Sequence, residues 1–248
     1  MGDYKTRFYD QYHSAHVAPR KGAASLAQFD ARVPMFERQW GRLLPADRSA
    51  PMLDVGCGSG GMVWWLQGKG FTEATGVDVS PEQIAVARSL GVGGVEQADL
   101  REYLQGRPGR YERIFLRDVL EHFERPDIVA ILDLCRAALR PGGAVVLQVP
   151  NAEPPLGGRI RWGDITHEMA FTESSLRQLL RTTGFDRVTL HPAGPVLLGL
   201  GDLPRHLLWK FFETVYRLMV FAETGRRHAV VTENIIAAAY APVAERPG

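Results

Sequence analysis

The sequence predicts a doubly wound α/β fold: a mostly parallel sheet of seven strands with helices on both faces and a helical insertion before the last strand. Two observations carry this expectation. From residue 52 onwards, short apolar runs alternate with helical patterns, and the first of these runs passes into a glycine-dense turn that opens a helix. A sheet wound in this way places ligands at the C-terminal ends of its strands. The 248 residues, of which 45% are hydrophobic, are enough to build a substantial core. A formal net charge of +1 offers no electrostatic footprint for DNA or RNA, so no nucleic-acid partner is expected.

Only two cysteines occur, Cys57 and Cys135, which provides neither a disulfide framework nor a zinc ligand set. No metal is expected, and a reducing cytoplasm is the expected compartment. The N-terminal stretch mixes Asp3, Lys5, Arg7 and Asp10 among its aromatics, unlike a secretory signal. No apolar run reaches the roughly 18 residues of a spanning helix.

Residues 1–45 read as a helical arm that carries Phe8, Tyr9 and Tyr12 and a His13, His16, Pro19, Arg20 cluster. Such an arm either packs on the domain or closes over a ligand as a lid. Residues 46–248 form the main domain. Met52 to Val55 is its first strand, Ser59 to Lys69 a helix, and Ala74 to Val79 a second strand. Ser80-Pro81-Glu82-Gln83 starts the next helix, with Ser80 as cap, Pro81 in the first turn and Gln83 completing a capping box; Gly91 ends it. A short strand around Val95 ends at Asp99, and another spans Arg113 to Leu116. The helix Pro126 to Leu139 puts Ile128, Ile131, Leu132, Cys135 and Leu139 on one face. Pro141-Gly142-Gly143 turns into Ala144 to Val149, apolar throughout except Gln148, as befits a central parallel strand.

The alternation then breaks. Residues 151–171 form a loop insertion rich in Pro, Gly and charge, long enough to suggest a functional role. Thr172 caps a helix that Gly184 ends, with Phe171 and Leu176 as a hydrophobic staple. Phe185 to Leu190 and Thr232 to Tyr240 are the last strands. Between them, residues 192–228 insert a helix at 203–223. It is apolar except for a stripe of His206, Lys210, Glu213, Thr214 and Arg217, which suggests a helix wedged into the fold or capping the substrate site. A dimer contact or docking at a membrane surface through Trp209, Phe211 and Phe212 is the sharper alternative.

The turn after the first strand admits two readings. As Gly56, Gly58 and Gly61 it fits a dinucleotide fingerprint, with Asp78 about 20 residues on as the ribose partner of NAD. As Asp54-x-Gly56-x-Gly58-x-Gly60 it fits an S-adenosylmethionine loop. Strand alternation and helix caps do not separate the two.

Over Met52 to Gly143, however, the chain resembles a class I S-adenosylmethionine-dependent methyltransferase, with the Rossmann-like fold of that family. The resemblance rests on five pieces in order: the Asp54 to Gly60 loop, Asp78 closing strand two, Asp99 closing strand three, Asp118-Val119-Leu120-Glu121-His122 after strand four, and Leu139-Arg140-Pro141-Gly142-Gly143 before strand five. It implies S-adenosyl-L-methionine as cofactor. Asp78, with Val79 beside it, would meet the ribose hydroxyls, while Asp99 and Leu100 would meet the adenine. The Gly56, Cys57, Gly58 and Gly60 backbone would lie against the methionine part, with Asp54 beneath it and Asp118 at the strand-four side. Cys57 would act through its backbone rather than its thiol.

Methyl transfer to an alcohol needs a base for the hydroxyl proton, and histidine suits neutral pH. His122, after strand four, and His167, in the loop beyond strand five with Asp164 to orient it, are the candidates. A cluster of Asp164, His167 and Glu168 is too local for a metal ligand pattern. The chain is also similar, more diffusely, to bacterial methyltransferases of polysaccharide and glycan assembly. That similarity lies around Tyr9, Tyr12 and His16, in Gly163 to Thr172, and from Glu223 to Asn234. It implies O-methylation of a sugar or other small hydroxylated acceptor. The alternatives are an N- or C-methyltransferase of a quinone or secondary metabolite, or a partner subunit that binds the cofactor without catalysis.

Overall fold

The computed structural model describes residues 3–12, 14–15, 24–155 and 157–243. Its seven strands are β1 (Met52–Val55), β2 (Ala74–Asp78), β3 (Val95–Gln97), β4 (Tyr111–Arg117), β5 (Leu139–Pro150), β6 (Arg187–Pro192) and β7 (Asn234–Tyr240). They lie in the order β3-β2-β1-β4-β5-β7-β6, and β7 runs antiparallel to both its neighbours. The doubly wound, mostly parallel sheet predicted from the alternating pattern is the one observed.

Alternation along the central strands sorts the core onto the two faces of the sheet. Leu53, Val55, Ile114, Leu116, Val145 and Leu147 pack on one face with Ile128, Ile131, Leu132 and Cys135 of a helix at Arg125–Ala138. Met52, Phe115 and Val146 face the other side, against Phe36 and Trp40 of a helix at Leu26–Trp40 and Met62, Trp65 and Leu66 of a helix at Gly61–Gly68. In chain order the helices are α1 (Asp3–Asp10), α2 (Leu26–Trp40), α3 (Gly61–Gly68), α4 (Pro81–Ser89), α5 (Leu100–Gln105), α6 (Arg125–Ala138), α7 (Gly157–Arg161), α8 (Glu173–Thr182) and α9 (Leu203–Thr224). The helix α5 and the single turn α7 were not foreseen; both are too short to show periodicity.

Two local expectations change. Ser80 caps α4, accepting from the Gln83 amide at 3.4 Å, but the other half of the capping box is missing because the Ser80 amide is already bound to Asp78 Oδ1. Gln83 instead turns its carboxamide towards the glycine loop. The turn Pro141-Gly142-Gly143 falls inside β5 as an irregularity, where the ladder to β4 steps from Tyr111–Leu139 to Arg113–Ala144. At α8 Thr172 caps the helix as expected, with Phe171 and Leu176 both buried, and Ser175 completes a reciprocal capping box that the sequence reading had not assigned.

The insertion helix α9 is not wedged into the fold. Leu207, Leu208, Phe211, Phe212, Leu218 and Met219 are all more than half exposed. Of the polar stripe Glu213 is buried, paired with the exposed Lys210 at 2.7 Å and Arg217 at 2.8 Å, and Tyr216 beside it donates to the Glu153 carbonyl. Among the described residues no helix is long and apolar enough to cross a membrane. Of the N-terminal arm, α1 reaches the main domain through Lys5, while His13, His16, Pro19 and Arg20 lie outside the described residues.

Candidate active site

A cleft of about 430 Å³ opens at the C-terminal ends of β1, β2 and β4. One wall is the turn between β1 and α3. Gly56, Gly58 and Gly60 hold φ of +67°, +55° and +83°, a region that excludes ordinary side chains at low cost. A Cβ on Gly56 would also stand 2.5 Å from Val119 Cγ2, so the Val119 side chain packs directly against the glycine backbone. The amides of Gly56 and Cys57 both donate to the Val77 carbonyl, at 2.8 and 3.0 Å, which ties the turn to the end of β2.

Asp78 sits at that end. Its Oδ2 accepts from the Gly58 amide and its Oδ1 from the Ser80 amide, each at 2.8 Å. Burial pushes its carboxyl up and the amide bonds pull it back. A carboxylate offers about four lone-pair sites, so two remain for a ligand's hydroxyls. Val79, Asp99 and Leu100 also line the cleft, Asp99 as the cap of α5 through the Arg101 amide at 2.8 Å. Cys57 lines it with a buried thiol that burial and then Asp54 and Asp78 push upwards. Gln83 contributes a buried Oε1 with no hydrogen-bond partner. A glycine turn in the positive-φ region, closed to a Cβ at Gly56, a carboxylate at its rim and an unpartnered amide oxygen fit a ligand carrying vicinal hydroxyls and an amino group.

Two expected residues stand behind this wall rather than in it. Gly60 caps α3 without lining the cleft, and Asp54, 2% exposed, lies in β1 beneath the turn. Burial pushes Asp54 up to about 7, opposed by Arg117 and reinforced by Asp78.

The opposite side of the cleft is assembled from three distant segments. After β4, Asp118 adopts φ +57° and accepts from Gln148 Nε2 at 2.9 Å, and the chain then makes a single turn at Leu120–His122. The 151–171 insertion folds back onto that turn: the Glu168 amide donates to the Glu121 carbonyl at 2.7 Å. The N-terminal arm closes the group, with Lys5 Nζ donating to the His122 carbonyl at 2.6 Å and pairing with Glu168 at 2.8 Å.

The two candidate histidines meet here, with ring centroids 4.7 Å apart. Their Nδ1 atoms are both engaged: His167 with the Ile160 carbonyl at 3.0 Å, His122 with Thr166 Oγ1 at 2.8 Å. A carbonyl only accepts, so His167 Nδ1 carries the proton. The Thr166 hydroxyl proton goes to Asp164 Oδ1 at 2.7 Å, so Thr166 Oγ1 accepts from His122 Nδ1. With its proton at Nδ1, each ring in its neutral form has its lone pair at Nε2. Burial, and after it His167, hold His122 down to about 4, so its ring is neutral at physiological pH.

Asp164 orients His122 and not, as expected, His167. Its Oδ1 accepts the Thr166 amide at 2.9 Å as well as the hydroxyl, the short-range pattern of an aspartate two residues before its partner, and Tyr12 donates to Oδ2 at 2.8 Å. Glu121 went unassigned in the sequence reading although it adjoins His122. It is fully buried with both carboxylate oxygens unpartnered, and burial followed by Asp118 pushes its carboxyl well above the usual range. Tyr12 and Thr166 were also missed as partners, since Tyr12 and Asp164 are 152 positions apart.

The known proteins agree with this geometry at the level of fold. A methyltransferase of Archaeoglobus fulgidus, described as SAM dependent, superposes with a TM-score of 0.64 at 19% identity, covering 86% of this chain and 96% of that one. A phosphoethanolamine N-methyltransferase of Haemonchus contortus, solved with S-adenosyl-L-methionine, gives 0.58 at 19% identity, covering 95% of this chain and 56% of that one. In sequence, a ubiquinone biosynthesis O-methyltransferase of Xanthomonas campestris is 33% identical over 110 residues, 42% of this chain. A namesake in Xylella fastidiosa is 36% identical over 107 residues, 41% of this chain. The match spans 45% of the Xanthomonas protein and 42% of the Xylella one, less than half the length of each. The model of a methyltransferase-domain family matches residues 32–190, well over half of the chain. With the glycine cradle, Asp78 and the sheet order in place, the chain belongs to this family and carries a class I S-adenosylmethionine-dependent methyltransferase domain.

Proposed function

We propose that the protein methylates a hydroxyl group on a small molecule. The observation that carries this reading is the meeting of two imidazoles in one cleft beside the Asp78 and glycine-loop side: His122, neutral and held at Nδ1 by Thr166, and His167, held at Nδ1 by the Ile160 carbonyl. An amine is already a nucleophile when neutral, whereas a hydroxyl must shed its proton, and an oriented imidazole is the group for that task. S-adenosylmethionine, when bound, supplies an electrophilic methyl: the acceptor oxygen forms the new C–O bond as the C–S bond breaks onto sulfur, and one proton is released.

The residues of the chain do the rest. Asp78 and the glycine turn bind and orient the cofactor. His167, less constrained than His122, takes the hydroxyl proton in the metal-free protein, while Asp164, through Thr166, keeps His122 in its Nδ1–H tautomer beside it. Tyr9 and Tyr12 of the arm line the acceptor side and exclude water. The same aromatics suit a ring-bearing acceptor, either a sugar or a phenol. The relatives named for ubiquinone biosynthesis support a phenolic ring, and the diffuse resemblance to glycan enzymes supports a sugar.

The test is a panel of phenols, sugars and amines incubated with methyl-labelled S-adenosylmethionine, with the methylated atom assigned by NMR. Transfer to oxygen is expected, and His167→Gln should lower the rate without changing S-adenosylhomocysteine affinity. Transfer confined to nitrogen or carbon overturns the reading.

A further inference from the structure

Glu121, His122 and His167 form a donor set that proton transfer alone does not explain. One carboxylate oxygen and one ring nitrogen from each histidine lie within 4.8 Å of one another. Both rings are held by their Nδ1 atoms, one on a backbone carbonyl and one on a hydroxyl that is itself bonded to a carboxylate. That is how proteins orient imidazoles whose Nε2 binds a metal ion. Independently, Glu121 buries both carboxylate oxygens with no partner, an arrangement that is costly for an ionised group unless a cation offsets it.

We propose that these three residues hold one divalent first-row transition cation, such as Zn²⁺ or Mn²⁺, at the acceptor side of the cleft. Two imidazoles and one carboxylate suit such ions better than Mg²⁺, which keeps oxygen ligands and water. Around a tetrahedral Zn²⁺ ion the donor atoms stand about 3.3–3.6 Å apart, so the present spacing closes by side-chain rotation. Three protein ligands leave one position open to the cleft. On the O-methylation reading, on which the use of the site rests, the acceptor oxygen takes that position. Its O–H bond breaks with the electron pair staying on oxygen, the proton passes to water, and an alkoxide faces the methyl group. His167 then acts as ligand instead of base.

The experiment uses the full chain stripped with a chelator and titrated with ZnCl₂, MnCl₂ and MgCl₂ by calorimetry, and with CoCl₂ by visible absorption. One equivalent of Zn²⁺ or Mn²⁺ should bind at least tenfold more tightly than Mg²⁺, with cobalt bands typical of a low-coordinate nitrogen and oxygen site. Glu121→Gln and His167→Gln should each weaken binding tenfold or more. Retained S-adenosylhomocysteine binding shows that these variants are folded; should either fail that check, His122→Gln replaces it. No binding below about 100 µM, or equal binding in the variants, overturns the metal site. Chelator-resistant transfer to a hydroxyl at an unchanged rate removes the metal from the reaction and leaves the O-methylation reading standing. Tight, variant-sensitive Zn²⁺ binding with transfer only to nitrogen overturns O-methylation and leaves the metal site standing.

Discussion

On the cofactor side of the cleft, contacts are made largely by main chain within one strand-turn-strand unit: the amides of Gly56, Cys57 and Gly58 to the Val77 carbonyl and the Asp78 carboxylate. On the acceptor side, side chains from the N-terminal arm, the turn after β4 and the 151–171 insertion hold one another: Tyr12 on Asp164, Asp164 on Thr166, Thr166 on His122. A site made of backbone is insensitive to side-chain identity except where a Cβ would intrude. A site made of side chains is specific to its residues and depends on segments far apart in the chain. The first arrangement suits a cofactor that stays the same, the second an acceptor that differs between relatives.

The sharpest way to break this contrast is Asp54, a buried carboxylate beneath the backbone-built half. Its folded pKa, about 7, is raised above its ordinary 3.8, so the folded state holds the extra proton between those values. Its stabilisation is therefore complete below pH 3.8 and is lost as pH rises through 7. Relative to Asp54→Asn, the cofactor-free protein should lose roughly 3–4 kcal/mol of stability between pH 4 and 7, measured by urea unfolding across that range. Parallel pH profiles would mean that Asp54 is ionised and paired in the folded protein.

Next in size is Gly56→Ala. The new methyl meets Val119 at 2.5 Å and must adopt φ +67°. Strain and displacement of a few kcal/mol should reduce S-adenosylhomocysteine affinity about a hundredfold by calorimetry. Affinity within threefold of wild type would show that the turn is not the rigid cradle described.

Asp164→Asn tests the other half. The amide accepts at only one of its two positions, so the network from Tyr12 to His122 loses a partner and the His122 tautomer is no longer held. The transfer rate should fall about tenfold while cofactor affinity stays unchanged, a separation visible in kcat against Kd. Equal loss in both would mean that the two halves are not independent.

The same contrast explains what was legible in the sequence. The cradle is local, so Gly56, Gly58 and Asp78 announce themselves by spacing, and the sheet does so by strand alternation. Pairings such as Tyr12 with Asp164 are set by how the arm and the insertion fold back, and no periodicity encodes them. His122 and His167 were recognisable as residue types, but the proton-holding partner of each was not. Asp164 looked like the orienting group of His167 because it is close in sequence, yet an aspartate bonds its own chain two residues on, which delivers it to Thr166 and so to His122. The α9 helix misled for a different reason. Its apolar majority reads as a buried face, but the buried polar position is Glu213, whose charge is paired by the exposed Lys210 and Arg217, and the apolar flank is left outside.

The smallest effect is the most direct statement about the backbone-built half. Cys57 stands in the middle of the cradle, lines the cleft and is 4% exposed. Its contribution to the turn is its amide, bound to the Val77 carbonyl at 3.0 Å, while its thiol reaches only the carbonyl of the next residue at 3.7 Å. Alanine keeps the amide and removes a small buried sulfur. Cys57→Ala should therefore change S-adenosylhomocysteine affinity less than twofold and cost about 1 kcal/mol of stability for the lost packing. Because burial and the neighbouring Asp54 and Asp78 disfavour the thiolate, iodoacetamide should alkylate the wild-type residue slowly even at pH 8, more slowly still with the cofactor product bound. A tenfold loss of affinity in the alanine variant would place a side chain at the centre of a site argued to be made of main chain.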